Sequence, residues 1–300
     1  MPLPLGFSPV GLVAFVLLTF LIATTVNTFA MEAAVLFTPA FLFVYPQLVP
    51  AFPDVGTQAA IGLALFVELF GYTSSVSAYY LRDQVDLGLA KSILAVSIPV
   101  AVVARTVSYY APADALMLAF GGMLAALAAV LFQAHRHGST VVDWIRGTPL
   151  ERFVGDRVAP DGGRVVASEF DRFDRAVAGL GGVMAGLVGI AIGELSQTLL
   201  TVRKRIPFRL STGTSALVLH GTIVSALVTN VALLVFAPGL SGHSLTVPFE
   251  FGTVAGLTCV LGGQTGAYIN SRVTEQTTLR AMMIAYTAVG VLVVARVLFL

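Results

Sequence analysis

Uncharged apolar runs of about 20 residues recur along this chain, the length a helix needs to cross roughly 30 Å of hydrocarbon. The runs at 10–30, 176–193 and 210–236 contain no Asp, Glu, Lys or Arg. They are apolar on every side, whereas a spanning strand alternates apolar and polar residues with period two. Only helices or closed barrels satisfy their backbone polar groups inside lipid, so the pattern selects an all-α integral membrane protein, a polytopic helical bundle. Composition agrees: 57% of the 300 residues are hydrophobic and 11% charged, against about 25% charged in soluble domains. That excludes a soluble enzyme and a disordered chain. A net charge of +1 with no basic stripe supplies little phosphate neutralisation, so no nucleic-acid partner is expected. The single Cys259 forms no internal disulfide. The segment Met1 to Pro9 lacks the basic start of a cleaved signal peptide and is expected to be retained.

Turn and breaker residues punctuate the apolar runs into helices expected at 10–30, 31–46, 57–81, 88–110, 114–132, 176–193, 194–202, 210–236, 248–268 and 277–299. Two of these, 31–46 and 194–202, are too short to span comfortably, and each follows a longer helix with almost no loop. Each pair reads as a broken or re-entrant hairpin, leaving about eight full spans. Between 133 and 175 the composition turns charged, which divides the chain into a first membrane repeat (1–132), a water-exposed loop (133–175) and a second membrane repeat (176–300).

Basic residues set the expected orientation, because cytoplasmic loops are enriched in Lys and Arg. If each short segment returns the chain to the side it left, fourteen of the seventeen basic residues lie on the side of the central loop, and the opposite loops near 47–56, 111–113 and 237–247 hold none. This arrangement places the central loop in the cytoplasm and both termini outside, in a multi-pass protein of the cell membrane. An odd number of crossings per half then makes the halves inverted repeats. Weak self-similarity supports the repeat: Met31-Glu32-Ala33 falls against Gly193-Glu194-Leu195, and a shift of 152 residues lays Glu68 on His220. Inverted repeats with interrupted helices are a common construction of secondary transporters, whose substrate sites lie where the helices break.

Glu32, Glu68, Glu194 and His220 are titratable groups well inside apolar segments, where insertion of a charge is costly. They are candidates for proton coupling, with Glu32 and Glu194 at the two breaks. The same groups also serve, when neutral, as hydrogen-bonded links between helices. The stretch Gly189-Ile190-Ala191-Ile192-Gly193-Glu194-Leu195-Ser196-Gln197 permits an unwound turn, and Gly182 with Gly186 forms a small-xxx-small pair suited to tight packing. The basic Arg203-Lys204-Arg205-Ile206-Pro207-Phe208-Arg209 precedes Ser211-Thr212-Gly213-Thr214-Ser215. Free N–H groups, hydroxyls and the positive end of a helix dipole suit an anion, although such a loop also anchors topology and such hydroxyls also cap helices. Gln197, Thr212, Thr214, Ser215 and Gln264, with Glu32 and Glu194, are the candidate substrate contacts. His135-Arg136-His137 offers two imidazoles without a third ligand, so no metal site and no cofactor is expected. No HExxH, Gly-x-Ser-x-Gly or Walker sequence occurs.

The stretch Gly189 to Gly193, the basic Arg203-Lys204-Arg205-Ile206-Pro207 and Thr212-Gly213-Thr214-Ser215 resemble the sulfite exporter TauE/SafE family, whose repeats carry a glycine-rich motif, a proline-ended loop and a Thr-Ser helix start. Glu32-Ala33-Ala34-Val35-Leu36-Phe37-Thr38-Pro39 and Gly263-Gln264-Thr265-Gly266-Ala267-Tyr268-Ile269 resemble further family segments. The first glycine motif is replaced by Thr28-Phe29-Ala30-Met31-Glu32, and Ala191 and Ile192 stand where the family prefers glycine. The resemblance implies a multi-pass carrier exporting sulfite or a related small sulfur anion. Two carboxylates beside the breaks repel such an anion unless protonated, which points either to proton linkage or to a different substrate, another organic or inorganic anion. The expected partners are therefore a small anion, protons and membrane lipid, with a homo-oligomer as a further option. Two rival classes make different predictions. An intramembrane enzyme uses Glu194 and His220 as acid and base and forms product without a gradient. An assembly subunit tolerates Glu194→Gln and Thr214→Ala without change in flux or ligand binding.

Overall fold

The structure is a computed structural model that describes residues 6–29, 31–136, 170–204, 206–237, 247–270 and 272–299. Ten helices and no strand are found among the described residues. The first half contains α1 (Pro9–Thr28), the short α2 (Ala34–Leu48), α3 (Thr57–Leu81), α4 (Leu87–Ser108) and α5 (Ala113–Arg136). The second contains α6 (Arg172–Val188), the short α7 (Ile192–Thr198, continuing through Leu199–Arg203), α8 (Phe208–Phe236), α9 (Phe249–Asn270) and α10 (Glu275–Phe299). Six of them, α1, α3, α4, α5, α8 and α10, are long and apolar enough to cross a membrane. The expected 133–175 loop and Arg205 fall largely or wholly outside the described residues, as do the side chains of the His135-Arg136-His137 triplet.

Local chemistry accounts for the helix ends. Ser8 caps α1 by accepting from the Gly11 N–H at 3.0 Å, with Pro9 in the first helical position where its missing N–H costs nothing. Asp86 caps α4, accepting from Gly88 and Leu89 at 2.9 and 3.0 Å. Asp171 and Asp174 form a reciprocal capping box on α6. Both short helices relax into a π turn, Ala40–Val44 in α2 and Leu199–Arg203 in α7. In α2 the π turn lies between Pro39 and Pro46, which lack the N–H an unbroken α ladder requires.

At the centre α3 packs against α8. The short α2 lies on α3, and the short α7 lies on α8. One flank is α1 against α9, the other α6 against α4, while α5 pairs with α10. Numbering each half from one to five, the flanks are first-with-fourth contacts in both directions, α3–α8 and α5–α10 join like with like, and α3–α9 and α4–α8 are third-with-fourth contacts in both directions. Glycines let the flanks close: a Cβ on Gly186 would stand 2.4 Å from the Ala101 carbonyl oxygen, and one on Gly266 2.6 Å from the Thr24 carbonyl oxygen. Gly182 and Gly186 are thus the tight-packing pair their spacing predicts. Phe15, Phe41, Tyr45, Phe52 and Phe251 stack into an aromatic wall that ties α1, α2 and α9 together around the 49–56 connection. The Tyr45 hydroxyl is satisfied by Thr19 at 2.7 Å.

Candidate functional site

Between α6 and α7 the chain turns through two left-handed residues, Gly189 at φ +79° and Ala191 at φ +82°. Glycine adopts this region freely, but Ala191 strains to do so, by about 1–2 kcal/mol for an L side chain. The turn aims the N–H groups of Ala191 and Gly193 at one point. That point is occupied by the Glu32 carboxyl, whose two oxygens accept from Ala191 and Gly193 at 2.5 Å each. Glu32 belongs to the other break, between α1 and α2, so a side chain of the first half closes the unpaired backbone of the second.

A related bond operates at the first break itself. Glu68, near the middle of α3, accepts from the Ala33 N–H at 2.8 Å with Oε1, while its Oε2 is buried and has no partner among the described residues. Glu194 receives the Tyr286 hydroxyl of α10 at 2.5 Å with Oε1, its Oε2 is buried and has no partner among the described residues, and it lies in electrostatic range of Glu32. Tyr72 makes a long 3.5 Å contact with the Met31 carbonyl and lies in electrostatic range of all three carboxyls. Beside Glu68, a cavity lined by Asn27, Met31, Tyr72 and Cys259 has room for about one water. The buried Glu32, Glu68 and Tyr286 thus form one cluster at the two breaks with the half-buried Glu194 and Tyr72.

The other residues singled out in the sequence have different partners. His220 is half-buried on α8, its Nδ1 buried and without a hydrogen-bond partner among the described residues. Glu194 is bonded to Tyr286 instead. Gln197 donates to Thr212 at 3.1 Å, and Ser211 donates to the Gln197 carbonyl at 3.1 Å, fastening α7 to α8. Thr214 accepts from the Asp86 N–H at 2.9 Å, and Ser215 donates back to the Thr212 carbonyl at 3.0 Å. Gln264 is exposed and donates to Ser74 at 2.5 Å. The basic loop is neutralised at its start. Arg203 pairs with Asp171 at 2.5 Å and with Asp174, and Lys204 reaches Asp174 at 2.5 Å. The Arg203 guanidinium on Asp171 holds that carboxyl below its usual range.

Reading the sequence missed Tyr72 and Tyr286, whose hydroxyls carry no spacing signal in apolar helices. It also missed a polar group at the opposite end of α3. Arg105, in the last turn of α4, is 0% exposed. Its Nε and Nη2 both donate to Asn230 Oδ1, the former at 3.1 Å, and Nη2 also donates to the Gln58 carbonyl at 3.2 Å. Tyr109 adds its hydroxyl to Asn230 Oδ1 at 2.7 Å. The available signal was an arginine within an apolar helix, which by default marks function. So near the helix end, Arg105 reads equally well as a residue whose charge reaches the interface.

The model of one known family, described as Sulfite exporter TauE/SafE, matches residues 15–293. Neither a curated protein nor a solved structure gives a match.

Proposed function

The chain belongs to the sulfite exporter TauE/SafE family, a family of membrane anion transporters rather than enzymes, and from that premise we propose that it exports a small sulfur-containing oxyanion in a proton-linked cycle. The observation that carries the proton linkage is the Glu32 carboxyl, which accepts the Ala191 and Gly193 N–H groups in electrostatic range of Glu194, the residue next to Gly193. Two carboxylates this close repel when both are charged, and a proton held between them removes the repulsion. A convergent pair of N–H groups at a helix start is also a natural anion holder. Glu32 and the transported anion therefore compete for the same donors: protonation loosens Glu32, and the anion takes its place.

The exchange of first-with-fourth contacts between halves supports two inverted repeats that alternate about the α3–α8 centre. α6, with 17 residues, is about 26 Å long, enough for a further span once its polar end reaches the interface. Counting α6 and α9 as spans gives eight, with α2 and α7 as the broken elements. Asn27 and Tyr72 beside Glu68 extend the path along α1 and α3. Gln197, Thr212, Thr214, Ser215, Gln264 and His220 serve in this reading as flanking polar contacts that become available when α7 moves relative to α8. The central loop lies in the cytoplasm and the protein resides in the cell membrane.

Proteoliposomes test this directly. Labelled sulfite, sulfoacetate, thiosulfate and sulfate are offered with and without an imposed proton gradient. We expect gradient-stimulated flux of one or more of these anions, reduced at least tenfold in Glu194→Gln and Glu32→Gln. Flux that ignores the gradient and survives both substitutions sinks the proton linkage. Absence of flux for every sulfur anion sinks the substrate class.

A further inference from the structure

The three carboxyls at the two breaks form no ion pair with Lys, Arg or His among the described residues, and their oxygens are not served alike. Glu32 takes two backbone N–H groups, from Ala191 and Gly193, and Glu68 takes the Ala33 N–H. Glu194 instead receives a hydroxyl. Tyr286 donates to its Oε1 at 2.5 Å, while Oε2 is buried and has no partner among the described residues. Tyr286 is 0% exposed and comes from α10. That helix pairs with α5 rather than with α3 or α8, so the bond ties the outlying pair to the broken element α7.

A hydroxyl donating to a carboxylate makes a charge-assisted bond, roughly twice as strong as one to a neutral acceptor. The strength of the Tyr286 bond therefore follows the charge on Glu194. With Oε1 occupied, the oxygen left to take a proton is Oε2. Protonation there turns Oε1 into the carbonyl oxygen of a neutral acid, and the hold of α10 on α7 weakens. Glu194 follows Gly193, whose N–H binds Glu32, so a shift of α7 at this point also draws on the bonds that hold Glu32. The other titratable groups in electrostatic range of Glu194 are Glu32 at the first break and Glu68 and Tyr72 on α3. From α8, His220 is half-buried and makes no hydrogen bond to Glu194. From α9, Cys259 lies in range of Glu68. Further along α7, Arg203 and Lys204 are bound by Asp171 and Asp174. Tyr72 contacts the Met31 carbonyl instead of Glu194, which makes it an internal control for the loss of a hydroxyl from the same cluster.

We infer that Tyr286 is a positioning residue for the proton step: its hydroxyl fixes Glu194 Oε1, leaves Oε2 as the oxygen that exchanges the proton, and loosens its hold on α7 when that proton arrives. This role deepens the transport reading and rests on it for the use made of the proton. The effect of the bond on Glu194 is a property of the folded protein and is measured without transport.

The test is an infrared titration of the whole chain in detergent, reading the stretch of the protonated carboxyl. The band that Glu194→Gln removes belongs to Glu194. Tyr286→Phe takes a donor from the charged form, so the proton affinity read from that band is expected to rise about tenfold, its midpoint moving to higher pH. A ring-fluorinated tyrosine at position 286, a stronger donor, is expected to move the midpoint the other way. Tyr72→Phe is expected to move it less than half as far as Tyr286→Phe. In native protein the Tyr286 C–O stretch, identified by its loss in Tyr286→Phe, is expected to shift toward that of a weaker bond as the Glu194 band grows. A midpoint unmoved in both position-286 variants, or moved as far by Tyr72→Phe, overturns the inference even where gradient-driven flux is seen. So does a C–O stretch that stays fixed through the titration, or the absence of any band removed by Glu194→Gln. Bands that move as expected, with no flux of any sulfur anion, leave the Tyr286–Glu194 linkage standing and the transport reading fallen.

Discussion

Ala191 holds φ +82° with its N–H on Glu32, in a turn where a glycine would be at ease. The methyl group is the whole source of the strain, and it is fully buried. Replacing it with glycine removes about 1–2 kcal/mol of left-handed strain and returns about 0.5–1 kcal/mol through the greater freedom of the unfolded chain. Ala191→Gly is therefore expected to stabilise the protein by roughly 0.5–1 kcal/mol, read as a small rise in unfolding temperature in detergent. A fall in that temperature would show that the methyl contributes more by packing than it costs in backbone strain. At the same scale, the pair Asp171–Arg203 has a definite pH sign. Its carboxyl titrates below the usual range, so its modest, solvent-screened contribution is present above about pH 4 and lost as pH falls through the lowered value.

Among the elements, α6 packs closely on α4. A Cβ on Gly186 would meet the Ala101 carbonyl oxygen at 2.4 Å, the Ala104 Cβ at 2.7 Å and the Arg105 N at 2.9 Å. Two of those atoms are backbone, so no side-chain rotation relieves the clash. Gly186→Ala is expected to destabilise the fold by roughly 1–3 kcal/mol, or to displace α6 enough to lower flux. Unchanged unfolding temperature and flux would contradict the joint. Both short helices, the break at Gly189–Gly193 and the small-xxx-small pair were legible in the sequence, because hydrophobic run length and glycine spacing are local signals. What those helices touch was not legible. That Glu32 spans from one break to the N–H groups of the other, and that Thr214 binds the Asp86 N–H, depend on contacts more than a hundred residues apart. No periodicity records such contacts.

At the scale of the molecule, α3 separates its two flanking connections by its full length, and the basic-residue count predicts that the one after α3 is cytoplasmic. Asp54 and Asp83 are both exposed, in the connections before and after α3. In intact cells, an impermeant maleimide is expected to label Asp54→Cys and to spare Asp83→Cys until the membrane is opened, with the buried Cys259 silent in both cases. The reverse pattern inverts the orientation; equal labelling denies that α3 spans. The candidate anion contacts proposed from the basic loop illustrate the limit of charge reading at this scale. Arg203 and Lys204 are bound by Asp171 and Asp174, whereas Arg105, the one fully buried arginine among the described residues, is held by Asn230 and the Gln58 carbonyl in an apolar helix that contributes almost nothing to the charge pattern.

The ten-residue interval between Gln58 and Glu68 on α3 also has an electrical meaning. About 15 Å is half of a 30 Å hydrocarbon core. A charge moved between the levels of Gln58 and Glu68 therefore crosses about half of the transmembrane field. For each elementary charge, 100 mV does about 1.2 kcal/mol of work over that distance, enough to bias the occupancy of the two places by roughly sevenfold. Membrane voltage would thus act on any such movement of charge, in addition to a gradient of protons or substrate.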